Sequence, residues 1–159
     1  MNPCLLVLAL AASPALALAL AQQPPSAPPL AEDDVVAYVP SSGDAWIDRR
    51  LFDINRYAAR YPEAFADEMA RYRAVPRAYV EAMMKQPDWT SADIYFACAL
   101  AQVAGQPCRA VVREWSRDHA EGWSGVAARI GVRPGSEQYR RLREGLAQTY
   151  ARWARPAPE

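Results

Sequence analysis

Histidine and lysine are almost missing from this chain: His119 and Lys85 are the only examples. Any chemistry that relies on imidazole therefore has to pass through one residue. Cysteine is scarce too, at three residues, Cys4, Cys98 and Cys108. Zinc sites pair their ligands at C-x₂₋₄-C or H-x₃₋₅-H spacing. Here the gaps around Cys98, Cys108 and His119 are far longer, so no metal site is expected. There is no C-x-x-C-H haem attachment, no phosphate loop and no G-x-S-x-G turn, so no cofactor and no catalytic residue is assigned. Period-two alternation of apolar and polar residues is also lacking after residue 21, which argues against a sheet. The acidic and basic residues number 18 each, and a neutral balance gives no reason to expect nucleic acid.

The longest stretch without charge is the start. Met1–Ala21 (MNPCLLVLALAASPALALALA) carries no ionisable side chain apart from Cys4. Leu5–Leu20 is apolar except for Ser13 and Pro14, and Ala19-Leu20-Ala21 is a small-x-small site before Gln22. This is the layout of a secretory signal peptide cleaved after Ala21. A spanning helix needs about 20 apolar residues, and this run is shorter, so no transmembrane segment is expected after cleavage. Cys4 precedes the apolar run, which does not suit a lipoprotein. Export removes the chain from most ATP-driven and gene-regulatory roles and permits disulfides. The expected location is periplasmic or secreted.

What is abundant is alanine, arginine and proline. Arginine supplies 17 of the 18 basic residues, a composition that reads as a GC-rich bacterial coding bias. Gln22–Ala31 (QQPPSAPPLA) is an extended tether, assigned to 22–33. The folded domain is expected at 34–155, with a tail at 156–159. Glu32–Glu68 holds nine acidic residues and four arginines, whereas Arg129–Arg155 holds seven arginines and two glutamates. Two such segments either face each other or face solvent.

The pattern from Asp44 onward is helical. Ile47, Leu51, Ile54, Ala58 and Tyr61 recur at helical spacing, and Pro62, Pro76 and Pro107 stand where new helices begin. Thr90-Ser91-Ala92-Asp93 resembles a capping box. The helix after it, 92–104, is apolar almost all round and must be buried on several sides. A short helix near Trp123–Ile130 ends at Gly131, and Ser136 caps a last long one. The fold class is therefore all-α: one domain of six to seven short helices around a buried central helix at about 92–104.

Cys98 and Cys108 form an even pair in an oxidising compartment, so a disulfide is expected. Their Cα atoms must approach within about 7 Å, which demands a steep crossing or an early helix end. Glu68, Glu81 and Glu114 each have a basic residue three or four positions on, the spacing of solvated helix pairs, so none is read as catalytic. On the last helix, Tyr139, Leu142, Leu146, Tyr150 and Trp153 form an inward stripe. Arg140, Arg141, Arg152 and Arg155 project to the other side in a helical-wheel reading, a candidate face for an acidic envelope protein or polymer.

One segment carries a resemblance. Gly122-Trp123, Val126-Ala127, Ile130-Gly131-Val132, Pro134-Gly135-Ser136, Tyr139 and Leu142-Arg143 resemble a pattern in uncharacterised exported helical proteins of proteobacteria. The resemblance implies a helical fold and an exported location, and no activity. The same stretch imitates a DNA-reading helix-turn-helix, but an exported chain meets no duplex. The expected function is a non-catalytic interaction or structural module of the bacterial envelope. The alternative is an enzyme acting on an envelope substrate through a site assembled from distant residues.

Overall fold

A computed structural model describes residues 38–159. The expected signal peptide, its cleavage residues Ala19, Ala21 and Gln22, and the tether lie outside the described residues. Seven helices and no strand occur among the described residues: α1 (Ala45–Arg60), α2 (Pro62–Tyr72), α3 (Arg77–Met83), α4 (Ser91–Val103), α5 (Cys108–Arg117), α6 (Gly122–Arg129) and α7 (Glu137–Arg152). The all-α class and the helix count agree with the sequence pattern.

Local chemistry sets the boundaries. The Asp44 carboxylate accepts from the backbone N–H groups of Trp46 and Ile47 and caps α1, satisfying two of the amides that lack a partner at a helix start. Pro62 opens α2 at a position where its missing N–H costs nothing. Thr90 and Asp93 form the reciprocal capping box of α4. The next free amide, Ala92 N–H, donates to Asn55 Oδ1 of α1 at 2.7 Å, so the cap also ties two helices together.

The helix α4 carries little polarity on any side, and Ala92 through Ala101 are all buried. It packs against α1, α5 and α7. Phe96 of α4 meets Trp123 of α6 edge-on, with ring centroids 5.3 Å apart. Ile47, Leu51 and Ile54 of α1, Phe65 and Met69 of α2, and Leu142 and Leu146 of α7 complete the core around it.

The helix α6 has no side-chain cap. Its second and third amides, from Trp123 and Ser124, donate to the carbonyls of Pro40 and Ser41 at 3.0 and 2.8 Å. That contact requires Gly122, which sits at φ +63°; a Cβ there would meet Ser41 Cβ at 2.6 Å. The segment before α1 is thereby fastened onto α6.

Candidate functional site

Cys98 and Cys108 are joined by a disulfide, with Cα atoms 4.4 Å apart. The local backbone supplies the geometry. After Val103 the amides of Gly105 and Gln106 donate back to the carbonyls of Gln102 and Ala101 at 3.2 and 2.8 Å, the paired bonds of a Schellman turn. Gly105 takes the left-handed conformation at φ +67°. The chain reverses within four residues, and Cys108, the first residue of α5, returns over Cys98. In the chain-entropy picture a loop this short removes about 2.7 kcal/mol of unfolded-state entropy.

Asp93 does more than cap its own helix. Its Oδ1 accepts from Trp123 Nε1 at 2.7 Å and from the Tyr38 hydroxyl at 2.9 Å. Its Oδ2 accepts from the Thr90 hydroxyl at 2.6 Å and the Thr90 amide at 3.3 Å. A carboxylate that is 4% exposed thus holds together the segment before α1, the start of α4 and the buried indole of α6. Trp123 stacks on Trp115, which stacks in turn on His119, with centroids 4.0 and 4.6 Å apart. His119 Nδ1 lies 2.9 Å from the Trp115 carbonyl. Among the described residues no group of three His, Cys, Asp or Glu side chains is placed to hold a metal ion.

A second polar network joins α2, α4 and α7. Glu68 is 5% exposed, not solvated as its spacing to Arg71 implies. Its carboxylate accepts from Arg152 Nε at 3.1 Å and from the Thr149 hydroxyl at 3.0 Å. The Tyr95 hydroxyl lies 2.9 Å from Thr149 Oγ1, and the Arg73 guanidinium donates to Tyr95 and, at 2.8 Å, to Gln102 Oε1. A third network places Asp53 against the Tyr150 hydroxyl at 2.8 Å and Arg155 at 2.8 Å.

These pairs revise the arginine face. Arg152 serves buried Glu68 and stacks over the Tyr72 ring at 3.9 Å, while Arg155 serves Asp53. Of these four, only Arg140 and Arg141 stay exposed on α7, both paired with Glu137 and the former also with Glu144. Arg140, Arg141, Arg152 and Arg155 are therefore not one free cationic face. Two reasons apply: the long Arg152 side chain reaches back from the flank of the helix to Glu68, and α7 ends at Arg152 with Ala154 turning to φ +50°, so a wheel drawn at 100° per residue does not extend to Arg155. Arg143 also pairs with Asp44, at 2.7 Å. The basic C-terminal and acidic N-terminal segments face each other, as one of their two sequence readings has it.

The buried phenols give a direct test of these networks. Burial, followed by the nearby Asp44 and Asp48 charges, pushes the Tyr139 phenol up to about 12. Burial and Asp93 raise Tyr38; burial and the bond to Asp53 raise Tyr150. Burial also raises Tyr95, against the opposing pull of Arg73. Below the unfolded tyrosine value of about 10 both states keep the proton and stability is unaffected. Above it the unfolded chain loses protons that the folded chain retains, so stability falls as pH rises from there toward each folded value. Part of the 295 nm phenolate absorbance should therefore appear only in the cooperative step that abolishes the helical circular dichroism. A single smooth titration of all eight tyrosines, with helicity intact, would contradict the burial of these four.

Surface grooves among the described residues include two of similar size. One, of about 490 Å³, lies where Tyr38, Val39 and Pro40 pass Arg49, Phe52 and Arg56 of α1. The other, of about 480 Å³, lies between α5 and α6. Arg113, Glu114, Arg117 and Arg129 line its rim, with Ala110 and Ile130 beside them. Asp93 and Glu68, the two most buried carboxylates in ion-paired or hydrogen-bonded networks, face neither groove. Among the described residues no helix is long and apolar enough to cross a membrane. No family model, no curated protein and no solved structure matches the chain.

Proposed function

We propose that this chain is an exported, non-catalytic helical module of the bacterial envelope, acting through contacts with other proteins or envelope polymers. The observation that carries the reading is the disulfide between buried Cys98 and partly buried Cys108, a bond that forms and persists mainly in oxidising compartments. The apolar run ending at Ala19-Leu20-Ala21 supplies the route to such a compartment. The resemblance to exported helical proteins of proteobacteria in residues 122–143 points the same way. The buried polar groups also favour a structural role: Asp93 and Glu68 are saturated by donors of their own chain. A general acid or base needs instead a carboxyl open to its substrate.

Expression of the full chain in a Gram-negative host, followed by fractionation and N-terminal sequencing, tests the reading. The expected product begins at Gln22 and appears in the periplasm or medium. A soluble cytoplasmic product retaining Met1 would overturn it.

A further inference from the structure

The helix α5 exposes a row of arginines at four-residue spacing, Arg109, Arg113 and Arg117. Residues four apart lie on one side of a helix. Arg109 is occupied over the Tyr79 ring, 4.9 Å from its centroid. The other two border the groove against α6, where Arg129 faces them. Arg129 is fixed in place: its guanidinium donates to the Glu114 carbonyl at 3.2 Å and to the Asp118 carbonyl, capping the end of α5. Glu114 is the only carboxylate lining the groove; it pairs with Arg117 at 2.6 Å and reaches Arg129 at 3.6 Å. Arg113 has no ion-pair or hydrogen-bond partner among the described residues. Asp118, just outside the groove, also pairs with Arg129 at 3.7 Å. Three guanidinium groups thus meet two carboxylates, which leaves the Arg113 charge uncompensated in a concave site. The wall that bears them starts at Cys108, so the disulfide anchors it to the core.

We propose that this groove docks an acidic peptide segment of a partner protein, an inference that rests on the reading of the chain as an interaction module. Arginine recognises carboxylates with two parallel N–H donors and is enriched at protein interfaces. Ala110 and Ile130, which also line the groove, suit the apolar side chains of a peptide. No aromatic ring lines the groove, and flat faces for stacking sugar rings are therefore missing, which favours a peptide over an acidic polysaccharide.

The test is fluorescence anisotropy of a short labelled peptide of alternating Glu and Leu, titrated with the oxidised chain at low and at moderate salt. Binding is expected at low salt and should weaken as the Debye length shortens. Arg113→Gln with Arg117→Gln, both at exposed positions, should lower the affinity about tenfold, the sum of two exposed charge contacts. Arg140→Gln with Arg141→Gln on α7 should leave it unchanged. Absence of binding at low salt would overturn the proposal. So would equal loss in both double variants, equal binding of a peptide with Gln in place of Glu, or tighter binding of an oligogalacturonate. If the chain is exported and oxidised but binds no acidic peptide, the docking site is lost and the module reading stands. Peptide binding by a chain that stays reduced in the cytoplasm would give the reverse result.

Discussion

Replacing Asp93 by alanine is expected to cost about 3–5 kcal/mol of folding stability, read as a lower urea midpoint with an unchanged slope. The carboxylate accepts from Trp123 Nε1, the Tyr38 hydroxyl and both donors of Thr90. Truncation leaves the indole N–H, which is fully buried with its ring, without an acceptor. Each such orphaned donor costs about 1–3 kcal/mol. The α4 capping box disappears at the same time, for about 1 kcal/mol more. Asp93→Asn separates the contributions. It keeps one of the two acceptor oxygens and removes the charge, so it should lie between wild type and Asp93→Ala. A urea midpoint for Asp93→Ala within error of wild type would mean that Trp123 and Tyr38 are not held by this carboxylate.

Leu100→Ala should cost about 2–5 kcal/mol, the range for deleting a large aliphatic group from a rigid core. Leu100 is fully buried on a helix whose neighbouring residues Phe96, Ala97 and Ala101 are buried as well. Ala104, beyond the helix end and only partly buried, supplies the comparison: Ala104→Ser should shift the midpoint little. Equal small effects at both positions would place α4 at the periphery and refute the packing described above.

Much of the fold was legible because its signals are local. Asp44, Pro62, the Thr90–Asp93 box and Ser136 start helices within a few residues of where periodicity puts them. Gly105 and Gly131 end them. Gly131 and Val132 donate to the carbonyls of Ala128 and Ala127, the same Schellman turn as at Gly105. The segment 122–143 that carries the resemblance is built largely of such turn, cap and core positions. Gly122 permits the close approach of Ser41, and Tyr139 donates its hydroxyl to the Ser42 carbonyl.

The interior polar networks were not legible, because their partners are distant in sequence. Glu68 has Arg71 three residues away, and local spacing names that arginine. Its partner is Arg152, 84 positions on. Asp93 announces itself as a cap, whereas its bonds to Tyr38 and Trp123 span 55 and 30 positions. The groove between α5 and α6 depends on Arg129 folding back across the end of α5, which no helical pattern encodes. The one signal available was the charge asymmetry between the two ends of the chain. It left open whether the two ends face each other or solvent, and it could not name the arginines that meet Asp44, Asp53 and Glu68.

The redox state of the cysteines in the native host bears most directly on the account. Protein recovered from cells quenched with acid and alkylated without reduction should yield, after digestion, a single linked species containing Cys98 and Cys108. Both cysteines should escape alkylation until a reductant is added. Alkylation of both thiols before reduction, in protein that is folded and helical, would contradict an exported module stapled through its core.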